Sequence, residues 1–177
     1  GNKMKKILKL TVFLAIVAGL AGGALSFVNG MTDPIIQEQK IASVKENLVK
    51  IYTSGEEFKA LDVSLSDYDA LSAVYEADKG GSPVGYIYET AAQGYGGEVK
   101  TLIALDKDGT YKGLQILDCS SETPGIGDQI TGESFINSVV GKNIGDSIDT
   151  ISGATFSSTA VIEGIEQATQ HYNENFK

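Results

Sequence analysis

The chain has 177 residues, of which 23 are acidic and 14 are lysine, with no arginine and a formal charge of −9 at pH 7. All the acidic residues and 10 of the lysines follow the first apolar segment, so that remainder carries about −13, which argues against nucleic acid and against tight binding to anionic lipid. One cysteine and one histidine exclude an internal disulfide and any iron–sulfur cluster or c-type haem held by this chain alone, and leave little material for a zinc site or a Ser/His/Asp triad.

In chain order, Lys3, Lys5, Lys6 and Lys9 precede an uncharged stretch over 10–28. As a helix, those nineteen residues reach roughly 29 Å, about the hydrocarbon thickness of a bilayer. The positive-inside rule predicts that residues 1–9 are cytoplasmic and that the chain beyond 28 is extracytoplasmic. Gly22 and Ala24 offer a small-residue cleavage site, but apolar character continues through Leu25, Phe27 and Val28. A retained transmembrane helix over 10–28 is therefore expected rather than a signal peptide. The span holds no ionisable residue and offers no path for an ion.

Pro34 opens a helical pattern through Ile36, Ile41, Val44, Leu48 and Ile51, which predicts a juxtamembrane helix within 29–53 packed on the domain or on a partner. The remaining 54–177 reads as one domain long enough to bury a core. It begins with a region of little pattern over 54–69. Two hairpins follow, with strands around 74–77 and 84–88 flanking Lys79-Gly80-Gly81-Ser82-Pro83, and strands around 99–105 and 111–117 flanking Asp106-Lys107-Asp108-Gly109. A short helix near 133–140 and a final helix carrying Val161, Ile162, Ile165, Ala168 and Tyr172 on one face complete the pattern. The expected fold class is α+β: a single N-terminal transmembrane helix, then one extracytoplasmic domain with an antiparallel sheet and flanking helices. His171, late in the final helix, is expected to be structural or solvated.

The segment Asp149-Thr150-Ile151-Ser152-Gly153-Ala154-Thr155 stands at the entrance to that final helix. Gly153 permits backbone conformations that other residues resist, and Ser157, Ser158 and Thr159 are alternative N-caps. Unpaired N–H groups and the positive end of the helix dipole favour a phosphate there. A turn that merely caps a helix has similar composition, so both readings stand on the residues alone. In Glu122-Thr123-Pro124-Gly125-Ile126-Gly127, Pro124 fixes one φ angle and two glycines allow tight turns, making a rigid backbone that suits a flat ring. Gly125-Ile126-Gly127 is not a dinucleotide fingerprint, because Ile130 occupies the place of its third glycine. Gly94-Tyr95-Gly96-Gly97 is either a hairpin loop or a ligand-lining loop in which Tyr95 stacks. Lys142, after Gly141, is either a solvated lysine or a cation for a bound anion.

These two motifs, in this order behind an N-terminal anchor, resemble the family that contains the G subunit of the Rnf electron-transport complex and the C subunit of the sodium-pumping NADH:quinone reductase. The resemblance covers most of the chain. It implies FMN joined by a phosphoester to Thr155, with Ser152, Gly153, Ala154, Ser157 and Ser158 of the attachment segment as further cofactor-binding residues. It also implies that Glu122, Thr123, Pro124 and Gly125 lie beside the flavin, with Tyr95 and Lys142 as further contacts and Asp149 either read by a flavin transferase or shaping the loop. The implied partners are that transferase and the other membrane subunits of an ion-translocating ferredoxin:NAD oxidoreductase. No catalytic residue, no metal and no independent catalysis are expected of this chain. One departure is Ser120, where relatives often carry histidine two positions before the Glu. The chain is also shorter than many of the reductase C subunits, which favours the G subunit. Outside that assignment stand an exported FMN-dependent reductase module for a small organic acceptor, and a non-redox accessory protein.

Overall fold

The computed structural model describes the backbone of residues 1–177 and the side chains of all but residues 25 and 28–40. The expected start of the juxtamembrane pattern at Pro34 and Ile36 lies outside those described side chains. The chain forms two compact units, Gly1–Lys40 and Ile41–Lys177, and helix α1 (Asn2–Ile51) contributes to both. In the first unit, the 23 residues Asn2–Ala24 are long and apolar enough to cross a membrane. Their large side chains, among them Leu8, Phe13, Leu14 and Leu20, are exposed.

The second unit is built on an antiparallel meander, β1 (Glu57–Ala60), β2 (Leu71–Lys79), β3 (Ser82–Gln93), β4 (Glu98–Asp106) and β5 (Tyr111–Asp118), in that spatial order. Gly80 and Gly81, at φ +59° and +79°, close the two-residue turn between the paired Lys79 and Ser82. Such a turn needs positive φ at both central positions, which is why two glycines occupy it. A 3-10 turn (Gly127–Thr131), α2 (Glu133–Val139) and α3 (Thr155–Asn175) follow.

The sheet is covered on both faces. Tyr86, Tyr88, Ile103 and Leu105 point to one side, where they meet Val161, Ile165, Ala168 and Tyr172 of α3. The intervening Ile87, Leu102 and Ala104 point to the other, where they meet Leu48 of α1 and Tyr52 beyond its end. Period-two alternation thus splits β3 and β4 between two cores, and the strands read as nearly continuous apolar runs for that reason. Each fully covered Leu or Ile contributes about 1.5–3 kcal/mol.

Strand β1 lies in the region the sequence left without pattern. Only Phe58 and Ala60 of its four residues face a core, while Glu57 and Lys59 alternate with them. Lys59 Nζ lies 2.5 Å from Asp78 Oδ2 on β2. His171 resolves to a core residue: it is buried, and its Nδ1 shares a 2.9 Å hydrogen bond with the Tyr88 hydroxyl.

Candidate functional site

The attachment loop turns into α3 through Gly153, at φ +84°, where L side chains are strained. Helix α3 begins at Thr155, and its N-cap is Ala154, with no side-chain cap. The expected caps Ser157 and Ser158 lie inside the first turn instead. There Ser158 Oγ donates to the Ala154 carbonyl at 2.8 Å and accepts from Ile151 N–H at 3.1 Å, fixing the loop from within the helix. The first helical bond runs from Ser158 N to Ala154 O. The N–H groups of Thr155, Phe156 and Ser157 therefore precede the hydrogen-bonded ladder and carry the positive end of a 21-residue helix.

A second loop faces this helix start. Ile126 N and Gly127 N both donate to Thr123 O, at 3.1 and 2.8 Å, and Gly125 takes φ +76°. Glu122, 4% exposed, is the junction. Its carboxylate accepts from Ser157 Oγ, from Gly96 N at 2.9 Å and from Tyr95 N at 3.2 Å. Burial pushes this carboxyl up, but the hydrogen bonds from Ser157, Gly96 and Tyr95 outweigh it and hold Glu122 below the usual carboxylate value. The 94–97 connection between β3 and β4 is thereby tied to the start of α3. Glycine is required where the two segments meet, because a Cβ at Gly127 would lie 2.8 Å from Glu122 Cβ and 2.9 Å from Ser157 Oγ.

Between these segments opens a cleft of about 300 Å³ lined by Tyr95, Glu122, Thr123, Ile126, Gly127 and residues 153–157. Tyr95 and Phe156 are 71% and 66% exposed, with ring centroids 5.9 Å apart and planes at 46°. Two large exposed aromatic rings beside an uncapped helix start make a surface for a flat, anion-bearing ligand. Among the described residues no lysine lines the cleft, so the helix start supplies its positive potential. No group of three or more His, Cys, Asp and Glu side chains among the described residues is placed to hold a metal ion.

The structure brings Tyr95, Glu122, Thr123, Gly153, Ala154, Thr155 and Ser157 together on this cleft. Pro124, Gly125, Ser152 and Ser158 shape the two loops without lining it. Lys142 lies elsewhere: its Nζ donates to Ser147 O, and its backbone is held by Tyr111 N donating to Lys142 O at 2.9 Å. Ile126 and Gly127 line the cleft as part of the 122–127 loop, whereas Phe156 is a lining residue that sequence reasoning missed. Phe156 carried a signal, being a large aromatic off the apolar stripe of α3 and next to Thr155.

Residues 94–170, which contain the whole cleft, match the FMN-binding domain family. The chain is 28% identical over 192 residues to the G subunit of the Na(+)-translocating ferredoxin:NAD(+) oxidoreductase complex of Acetobacterium woodii, covering 95% of this chain and 92% of the relative. It is also 28% identical over 179 residues to the G subunit of the ion-translocating oxidoreductase complex of Methanosarcina acetivorans, covering 94% of this chain and 95% of the relative. The solved C subunit of the Na(+)-translocating NADH-quinone reductase of Parabacteroides distasonis superposes with a TM-score of 0.48 at 28% identity, over 58% of this chain and 61% of that one. Residues 94–170 are thus similar to the FMN-binding domain family, and the chain is similar along nearly its whole length to G subunits of ion-translocating oxidoreductase complexes.

Proposed function

We propose that this chain is a membrane-anchored electron-transfer subunit of an ion-translocating ferredoxin:NAD oxidoreductase, with FMN bound covalently through a phosphoester to Thr155. The observation that carries this reading is the position of Thr155, the first residue of an uncapped helix and part of the wall of a cleft flanked by two exposed aromatic rings. A phosphate esterified to its hydroxyl would be held by the backbone N–H groups of the helix start, and Tyr95 and Phe156 would offer their rings to the isoalloxazine.

Bound FMN supplies reversible acceptance of one or two electrons. The chain's own residues would hold it: Glu122 and Ser157 lock the two loops, Gly153 takes the positive φ that turns the chain into α3, and Thr123 lines the cleft. Attachment replaces the hydroxyl hydrogen of Thr155 with the FMN phosphoryl group, as AMP leaves an FAD donor, and a flavin transferase catalyses it. An exported carrier has no cytoplasmic flavin pool from which to reload, so a covalent ester suits an extracytoplasmic domain. The lysines at 3, 5, 6 and 9 favour a cytoplasmic N-terminus, with the helix as a single-pass anchor and the domain on the opposite side. The partners are the other membrane subunits of the complex.

Intact mass and in-gel flavin fluorescence after denaturation test the reading, on wild type and Thr155→Ala each co-produced with a flavin transferase. A wild-type gain of FMN less one water, lost in the variant, supports it. An unmodified wild type, under conditions where a known acceptor is labelled, overturns it in favour of a capping loop.

A further inference from the structure

We propose that Glu122 is a positioning residue of the flavin cleft and also its fixed negative charge, setting the two aromatic walls and holding the bound flavin at a lower potential than an uncharged wall would. The inference rests on the FMN reading above.

The geometric half follows from what the carboxylate touches. Tyr95 N and Gly96 N bring the 94–97 loop to it, and Ser157 Oγ brings the first turn of α3. One aromatic ring belongs to a residue that Glu122 holds directly, and the other to the immediate neighbour of Ser157. The same side chain therefore spans the gap across which the two rings stand 5.9 Å apart.

The electrostatic half follows from what the carboxylate lacks. It takes part in no salt bridge among the described residues, and its donors are backbone amides of the 95–97 loop and the Ser157 hydroxyl. Glycines crowd it as well: a Cβ at Gly94 would lie 2.6 Å from Oε1, and one at Gly127 would lie 3.0 Å from Oε2. Hydrogen bonds stabilise the charge without neutralising it, and the carboxylate sits in the cleft wall at low exposure. In such a site a negative charge opposes the addition of electrons to a neighbouring group far more than it would in water.

The test uses full-length, flavin-loaded protein with loading verified by mass, and compares wild type, Glu122→Gln, Glu122→Asp and Ser157→Ala. Each is equilibrated against a reference dye at one fixed potential. In Glu122→Gln the ratio of reduced to oxidised flavin is expected to rise about tenfold, equivalent to about 30 mV for a two-electron couple. Ser157→Ala removes a donor but keeps the charge, so its ratio does not rise. Glu122→Asp also keeps the charge, so its ratio stays near wild type even where Glu122→Gln fails to fold.

Amide exchange in flavin-free protein reads the positioning role separately: the Tyr95 and Gly96 amides exchange faster in both Glu122 variants. A fully loaded Glu122→Gln with an unchanged ratio, or a Glu122→Asp whose ratio rises tenfold, overturns the charge role. Unchanged exchange at both amides overturns the positioning role. A wild type that gains no flavin mass overturns the FMN reading instead, and the exchange experiment still stands.

Discussion

Gly164 of α3 lies directly against Thr90 of β3: a Cβ on Gly164 would sit 2.6 Å from Thr90 Oγ1 and 2.7 Å from its Cβ. Thr90 is 2% exposed and stands in a central strand, paired to Leu71 and Thr101, so it has no room to yield. This close approach sets how deeply α3 beds on the sheet, and hence where Thr155 meets the cleft. On an exposed helix Gly→Ala gains up to about 1 kcal/mol in propensity. Here the added methyl overpacks the contact, at a cost of about 1–3 kcal/mol. Gly164→Ala is expected to lower stability on balance, and the thermal midpoint falls by a few degrees. A raised midpoint would mean that the helix lifts off the strand without penalty.

Tyr95 and Phe156 make the opposite prediction. Both rings are mostly solvent-exposed, so neither contributes much to the fold, and Tyr95→Ala or Phe156→Ala changes the stability of flavin-free protein by only about 0.5 kcal/mol. With FMN on Thr155 the same changes remove a stacking partner. Emission from the native, attached flavin is expected to rise in each variant, while the covalent mass gain is unchanged. Emission equal to wild type in both would place the ring away from these side chains.

How much of this arrangement was legible in the sequence depended on whether the signal was local. Gly80-Gly81 and Asp108-Gly109 announce their turns because positive φ is a local demand, and the α3 stripe from Val161 to Tyr172 announces a helix covered on one side. β1 was hidden because four residues with two charged positions alternate too briefly to register. The start of α3 was misplaced because Ser157 and Ser158 have the composition of caps. Their hydroxyls are spent instead on Glu122 and on the Ala154 carbonyl, and the former is thirty-five residues distant in sequence. The hydrogen-bond partners of Glu122 were unreadable for the same reason, since residues 95, 96 and 157 are brought to it only by the folded sheet. Lys142 matched a family pattern in sequence, but the backbone pairing with Tyr111 fixes it at Ser147.

His171 gives the domain an acid-side weakness. Burial lowers its pKa from 6.5, opposed by Glu174, and its surroundings are Tyr88, Tyr68 and Phe176. The folded value lies below the unfolded one, so above about pH 6.5 the residue is neutral in both states and costs nothing. As pH falls through that value, the unfolded chain takes up a proton that the native core resists, and stability declines until the folded pKa is reached. Glu174, whose pKa is lowered by its hydrogen bonds to Tyr68 and Gln170, loses its own contribution only further down, in the carboxylate range. Denaturant midpoints measured from about pH 7 to pH 5 should fall for wild type and lose that component in His171→Asn. Parallel slopes in the two proteins would assign the acid sensitivity elsewhere.

The second compact unit begins inside α1, at Ile41. Leu48 and Tyr52 are 0% and 1% exposed within the second core. The Tyr52 hydroxyl, with one proton to donate, lies 2.5 Å from Asp106 Oδ1 and 2.9 Å from Val84 O, and a Cβ on Gly85 would lie 2.6 Å from that hydroxyl. The end of α1 is thus part of the sheet's second cover, and a fragment of residues 41–177 retains all of it. A fragment starting at 54 loses Leu48, Ile51 and Tyr52 together and opens one face of β3 and β4. Leu48→Ala alone should cost about 2–5 kcal/mol. Denaturant unfolding of the two fragments is therefore expected to show a cooperative transition for 41–177 and a much weaker one for 54–177. Equal midpoints would mean that the face against Ile87 and Leu102 is closed by something other than α1.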